Sequence, residues 1–246
     1  MSTERIGVIG SGVMGSGIAQ VLAVAGHAVL SYDVDSTALE RARTTIATGR
    51  FGVGSAVDRG KLTRADAEAA LARVTFTTKL DEALDVDVVI EAIPEKLGLK
   101  LAFWRDADRR APEGAIFCSN SSGFPIEAMA AVVDRADKMI GWHWASPAPV
   151  MRLAEIVRGP ATSDDTVATV VRMASAAGKN PVVVNDTTRA WGYVANRIYS
   201  AMIREALRVV DEGIASKQDV DQLMVDCFRW PSGPFGMTKG ATSGWQ

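Results

Sequence analysis

A chain of 246 residues is long enough for one large α/β domain, or for one domain and a small second one. Hydrophobic residues at 48% and charged ones at 23% are ordinary globular usage, which excludes a disordered or fibrous protein. Basic residues number 27 against 29 acidic ones, a net charge of −2, which argues against broad electrostatic binding to nucleic acid or an anionic membrane.

Strand-like runs alternate with helical patterns along most of the chain. Strands are predicted at 5–9, 27–32, 74–76, 87–91, 115–119, 139–144, 154–158 and 181–185, several of them continuous apolar runs of the kind that burial on both faces requires. Helices are predicted between them at 13–25, 36–48, 64–73, 95–110, 126–132 and 164–177, with Gly26 and Gly178 at C-cap positions. This alternation predicts a parallel sheet with helices on both faces. From about Arg189 the pattern changes. Trp191, Val194, Ala195, Ile198, Met202, Ala206 and Val210 recur at helical spacing, widened by Tyr199, Ile203 and Leu207, which predicts one long helix with a broad buried face. A second helix is predicted at 217–228, and the tail 230–246, with Pro231 and Pro234, reads as irregular.

Cys118 and Cys227 have no CxxC spacing, so neither a disulfide framework nor a metal site is expected. No apolar run approaches the roughly 20 residues of a spanning helix, and residues 1–5 lead straight into a strand pattern, so the expectation is a cytoplasmic protein.

The strongest motif is Gly10-Ser11-Gly12-Val13-Met14-Gly15, a GxGxxG directly after a strand and at the mouth of a helix. Gly10 permits the tight turn, Gly12 lets the backbone approach a pyrophosphate, Gly15 allows close helix–strand packing, and the helix N-terminal amides hold the phosphates. Asp33 lies 18 residues after Gly15, at the end of the second strand, where a carboxylate accepts hydrogen bonds from a ribose diol. The same charge repels a 2′-phosphate, and Tyr32 and Val34 offer no compensating arginine, so NAD is favoured over NADP. The predicted fold is therefore α/β: a Rossmann-type doubly wound sheet followed by a small all-helical C-terminal domain.

The second constellation is Gly141-Trp142-His143-Trp144-Ala145-Ser146-Pro147, followed by Met151-Arg152-Leu153-Ala154-Glu155. The chain has two histidines, and capping accounts for His27 at the end of the first helix. That leaves His143 as the candidate proton acceptor near neutral pH, although a histidine between two tryptophans also fits a packed core position. Glu155, at the start of the next predicted strand, has the chemistry to orient the imidazole and stabilise its protonated form.

These residues, taken with Val89-Ile90-Glu91-Ala92-Ile93-Pro94-Glu95, Ser119-Asn120-Ser121-Ser122, Pro149-Val150-Met151 and Val194-Ala195-Asn196-Arg197, give a set of motifs in order over almost the whole chain. On them the sequence resembles the L-3-hydroxyacyl-CoA dehydrogenases, whose short-chain form is also called 3-hydroxybutyryl-CoA dehydrogenase. The resemblance implies an NAD-dependent oxidoreductase of fatty acid metabolism that interconverts a 3-hydroxyacyl-CoA and a 3-oxoacyl-CoA. It assigns the catalytic pair to His143 and Glu155, the serine after the fifth strand to Ser122, the asparagine at the head of the long helix to Asn196, and the cofactor glutamate and lysine to Glu95 and Lys100. Read without the resemblance, Glu95 is an acidic helix N-terminus and Lys100 a solvated helix face. Two stretches depart from the family pattern. Ser146 stands where the family has the asparagine of His-x-x-Asn-Pro, so a cofactor-side or substrate contact made by two amide protons is reduced to one hydroxyl. The family's Asp-Thr-Pro-Gly-Phe is replaced by Asp186-Thr187-Thr188-Arg189-Ala190-Trp191-Gly192.

Coenzyme A carries several phosphate charges, so a slightly acidic protein needs a local basic surface to receive it. Arg50, Arg59, Lys61 and Arg64 against Asp58 supply one, with Lys61 and Arg64 expected to contact the substrate. The family's helical arm lies in the same region. An acyl-carrier-protein thioester or a free 3-hydroxy acid is the alternative substrate, and a catalytically silent NAD sensor is disfavoured by the retained set Ser122, His143, Glu155 and Asn196. The division falls at 1–186 for the NAD-binding domain and 187–246 for a helical domain of dimerisation and substrate contact. So short a helical unit is marginal alone, which predicts a homodimer.

Overall fold

The strands form where β-branched and apolar residues run together, and the longer helices where apolar residues recur at a 3.6-residue period, four of the helices behind a polar side-chain cap. A computed structural model describes residues 4–243, with side chains through Thr238. In chain order the elements are β1 (Arg5–Ile9), α1 (Val13–Val24), β2 (Ala28–Tyr32), α2 (Ser36–Thr48), α3 (Val53–Asp58), α4 (Arg64–Ala72), β3 (Val74–Thr77), α5 (Leu80–Leu84), β4 (Val88–Glu91), α6 (Leu97–Arg110), β5 (Ile116–Ser119), α7 (Ile126–Ala130), a 3₁₀ turn (Ala136–Lys138), β6 (Met139–Trp144), β7 (Leu153–Arg158), α8 (Asp164–Ala176) and β8 (Asn180–Asn185). A helical unit follows, with α9 (Ala195–Asp211), α10 (Lys217–Phe228) and α11 (Pro234–Ser243). Side chains of Asp35, Thr63, Ser163 and Ser216 cap α2, α4, α8 and α10.

The sheet has the order β3-β2-β1-β4-β5-β6-β7-β8. Its first six strands are parallel neighbours in the doubly wound arrangement, and the order reverses between β1 and β4, which places a ligand crevice at the carboxyl ends of those strands. Ile18 and Leu22 of α1 and Val170 and Met173 of α8 meet Trp142 and Trp144 in one buried cluster. Trp104 of α6 packs on Phe117 of β5 at 4.9 Å between ring centroids, outside that cluster.

Four expectations are corrected. The sheet is not wholly parallel, because β6 and β7 pair antiparallel. Only eight residues join Trp144 to Leu153, too few for the crossover that a parallel return requires. The long helix begins at Ala195 rather than at Trp191, because Gly192 takes a left-handed φ of +89° that no helix continues through. Trp191 and Ile198 are 53% and 65% exposed while Ala206 is buried and Met202 and Ile203 are half-buried, so the stripe predicted as buried is only partly covered in the single chain. The tail is helical from Pro234, with residues 244–246 outside the described range. Pro234 presets the first turn, and the Asp221 carboxylate accepts from the Phe235 and Gly236 amides at 2.7 and 2.8 Å, a cap supplied by α10 rather than by the tail itself.

By internal contacts the chain divides into two compact units, one ending at Arg189 and the other starting at Ala190.

Candidate active site

The glycine turn after β1 is shaped for a dinucleotide. Gly10 has φ +96°, and a Cβ there would lie 2.7 Å from the Ala92 carbonyl oxygen. A Cβ on Gly15 would lie 1.7 Å from the Gly10 carbonyl oxygen, so no other residue fits where α1 meets the turn. Gly12, by contrast, faces open space at the start of α1, and no side chain caps that helix. A phosphate fits the amides left there. Asp33 follows β2, its Oδ2 accepting from the Ser11 amide at 2.8 Å and its Oδ1 from the Asp35 amide at 3.1 Å. The Ser11 hydroxyl bonds that of Ser31 at 2.9 Å, tying the turn to β2. The next two residues of the motif, Val13 and Met14, open α1, with Val13 exposed.

At the carboxyl ends of β4 and β5 lies a buried polar network. Glu91 is fully buried, and its Oε1 accepts from Lys100 Nζ at 2.6 Å and from the Ile93 amide at 2.9 Å, while Ser119 Oγ donates to Oε2 at 2.8 Å. Burial pushes the Glu91 carboxyl up, and the lysine, the serine and the amide pull it back. Lys100 is 1% exposed and also reaches Glu95 at 3.1 Å, which overturns the solvated helix face read from its sequence position. Glu95 precedes α6 rather than lying in it. Its Oε1 accepts from the Ser121 hydroxyl at 2.6 Å and the Ser122 amide at 2.9 Å, so Glu95, Lys100 and Ser122 are joined.

His143 and Glu155 are directly opposite each other in the β6–β7 ladder. Alternation along β6 sends Trp142 and Trp144 into the cluster under α1 and α8, and His143 to the other face with Glu155 of β7. Nδ1 and Oε2 are 2.6 Å apart, and both side chains are buried. An ionised carboxylate only accepts, so the proton on that side sits on Nδ1 and Nε2 is the basic nitrogen. Ser146 is exposed in the turn after β6, ahead of a cis Pro147. His27, read as a capping residue, is buried beside Glu4, with Nδ1 at 3.3 Å from both its carbonyl and its carboxylate.

The basic arm divides between two grooves. Lys61 lines a cleft of about 460 Å³ with Arg59, Arg152 and Lys179, walled by Val21, Phe51 and Leu62 among others. Arg64 opens the first turn of α4 and lines a different groove with Val53 and Val57. Asn196 lies in the first turn of α9, in the second unit.

The family model described as 3-hydroxyacyl-CoA dehydrogenase, NAD binding domain, matches residues 5–187, and that of the C-terminal domain matches 192–245. The chain belongs to the 3-hydroxyacyl-CoA dehydrogenase family. It is 38% identical over 96% of its length to a probable 3-hydroxybutyryl-CoA dehydrogenase of Bacillus subtilis, covering 80% of that protein. The crystal structure of (S)-3-hydroxybutyryl-CoA dehydrogenase from Ralstonia eutropha superposes with a TM-score of 0.89 at 39% identity, over 95% of this chain and 80% of that one. A diketoreductase structure gives 0.84 at 31% identity, over 96% and 82%.

As an NAD-dependent enzyme of the 3-hydroxyacyl-CoA dehydrogenase family, the chain has its glycine turn, Asp33 and the uncapped start of α1 inside the region matched by the NAD-binding domain. No helix among the described residues is long and apolar enough to cross a membrane. Glu91, Ser119, Asn120 and Ser121 take part in the site's polar framework, although none of them has a role assigned from sequence alone. A carboxylate closing the apolar run Val88-Val89-Ile90 was the available signal, since a buried charge requires a partner.

Proposed function

We propose that the enzyme interconverts an (S)-3-hydroxyacyl-CoA and its 3-oxoacyl-CoA, with His143 and Glu155 as the catalytic pair. The observation that carries this reading is the 2.6 Å cross-strand contact between His143 Nδ1 and Glu155 Oε2, on the antiparallel return of a dinucleotide-binding sheet. Bound NAD would supply the hydride acceptor for C3. His143 Nε2 takes the C3 hydroxyl proton in oxidation and returns it to the carbonyl oxygen in reduction. Glu155 holds the tautomer and stabilises the imidazolium. Ser122 and Asn196 hydrogen-bond the C3 oxygen and align it for transfer. Gly10 through Gly15, Asp33, Glu95, Ser122 and Ser146 hold the cofactor, and the buried Lys100 serves it through its 3.1 Å contact with Glu95.

The basic arm receives the coenzyme A phosphates through Lys61 and Arg64. The clustering of Arg59, Arg152 and Lys179 around Lys61 supports the Lys61 cleft as the principal landing point. We assign 1–186 to cofactor binding and 187–246 to substrate contact and homodimerisation. The exposed Ile198, Leu207, Leu223 and Phe228 on α9 and α10 support an apolar contact between copies, which light scattering tests as a dimer mass.

Substrate class is decided by NADH consumption with acetoacetyl-CoA, a longer 3-oxoacyl-CoA and a free 3-oxo acid. Strong preference for a CoA ester is the expected result. Ser146 in place of the family asparagine, together with the likeness to a diketoreductase, supports the alternative reading of a carrier-protein thioester or a free acid. Preference for the free acid in the same assay would establish it.

A further inference from the structure

The parallel pairing of β5 and β6 ends at Ser119 opposite Gly141, while β6 runs three residues further to Trp144. Beyond that last pair the backbone after β5 still pairs with β4, the Asn120 amide donating to the Glu91 carbonyl at 2.9 Å. The strand edge that β5 abandons is taken up by a side chain. Asn120 Oδ1 accepts from the Trp144 amide at 3.0 Å, extending the ladder next to His143. On its other side Asn120 leads into Ser121 and Ser122, whose hydroxyl and amide are held by Glu95. The Ser121 hydroxyl in turn accepts from the Gly123 and Phe124 amides at 3.3 and 2.9 Å, which closes the loop on itself.

We propose that Asn120 is a positioning residue for the dehydrogenase reaction: its side-chain carbonyl bridges the serine loop to the carboxyl end of β6 and so sets Ser122 against His143. The proposal rests on the reading of His143 and Ser122 given above. It adds a residue that has no role in the transfer itself and acts through both partners. The bridge uses only an acceptor atom, so the demand on position 120 is for an oxygen at that reach and not for an amide. Aspartate meets the demand and alanine does not. Because the reacting groups sit on two separate segments, a loosened bridge misaligns them without removing either, and an error of about 1 Å in such a relation costs on the order of 100-fold in rate.

The test compares Asn120→Ala and Asn120→Asp with the wild type and with His143→Ala, using acetoacetyl-CoA and NADH, with hydrogen exchange at the Trp144 amide as a readout independent of turnover. Asn120→Ala is expected to lower kcat roughly 10- to 100-fold, leave the KM for NADH within about twofold, and speed exchange at Trp144. Asn120→Asp is expected to recover most of kcat and the slow exchange. An alanine variant with wild-type kcat and slow exchange overturns the proposal. So does an aspartate variant as impaired as alanine, or a loss in both that tracks melting temperature with kcat per folded molecule unchanged. If His143→Ala retains wild-type turnover, the reading of the catalytic pair fails, and exchange at Trp144 still decides whether Asn120 holds the strand end.

Discussion

His143 and Glu155 face each other across the antiparallel β6–β7 pair, Nδ1 to Oε2 at 2.6 Å, both buried. The geometry makes the imidazole's orientation a property of sheet register rather than of a mobile loop, because a one-residue slip would turn either side chain to the opposite face. Glu155→Gln keeps the shape and removes the charge that stabilises the imidazolium. Its kcat is expected to fall by roughly 10²- to 10⁴-fold with the KM for NADH unchanged. Steady-state kinetics checks this, and a kcat within a few-fold of wild type would place the carboxylate outside the mechanism.

Asp33 serves both the cofactor and the loop that holds it. Asp33→Ala removes the ribose acceptor, the repulsion of a 2′-phosphate, and the anchor of the Ser11 amide. The KM for NADH is expected to rise about tenfold or more, while use of NADPH improves relative to NADH. Measuring both cofactors on one variant checks the point, since simple loosening of the loop would weaken the two equally.

Lys100 neutralises a carboxylate that has no access to water. Lys100→Met leaves Glu91 buried and unpaired, at a cost of roughly 3–5 kcal/mol in stability. Pairing it with Glu91→Gln is expected to recover much of that loss, because the desolvated charge is gone. Urea unfolding of the two single variants and the double variant measures the coupling, and additive losses would mean the two side chains act independently.

Lys179 is nine-tenths buried and donates to the Ala148 and Met151 carbonyls at 2.6 and 2.8 Å, with no carboxylate beside it among its described contacts. Burial first, and the nearby Arg152 charge second, bring its pKa down to about 8. The folded protein therefore releases this proton near pH 8, while the unfolded chain holds it to about 10.5. Between those values the unfolded state binds more protons, so the contribution of Lys179 to stability rises with pH, by up to about 3 kcal/mol across the window. Unfolding of wild type and Lys179→Met at pH 7.5, 9 and 10 is expected to show the difference shifting in favour of the wild type. A constant difference would contradict the burial of a charged ammonium.

The legible parts of the site are those carried by local pattern. Gly10, Gly12 and Gly15 declare a turn after a strand, and the alternation Trp142-His143-Trp144 already separates the two tryptophans from the histidine by face. What was not legible depends on contacts distant in sequence. Lys100 lies in an amphipathic helix whose polar positions look alike until β4 brings Glu91 against one of them. Asn120 is one polar residue in a run of four, Ser119 to Ser122, until β6 is placed beside it. The tail's helix takes its cap from Asp221, 14 and 15 residues earlier, so no local signal announces it. The antiparallel return at β7 was within reach, since counting the residues from Trp144 to Leu153 rules out a crossover.

The central claim is that His143 moves the proton while hydride passes between C3 and the cofactor. Steady-state NADH consumption with acetoacetyl-CoA by wild type and His143→Ala, beside direct titration of NADH binding to each, tests it most directly. The account predicts turnover reduced by roughly 10³-fold or more in the variant with NADH affinity unchanged; near-normal turnover in His143→Ala would contradict it.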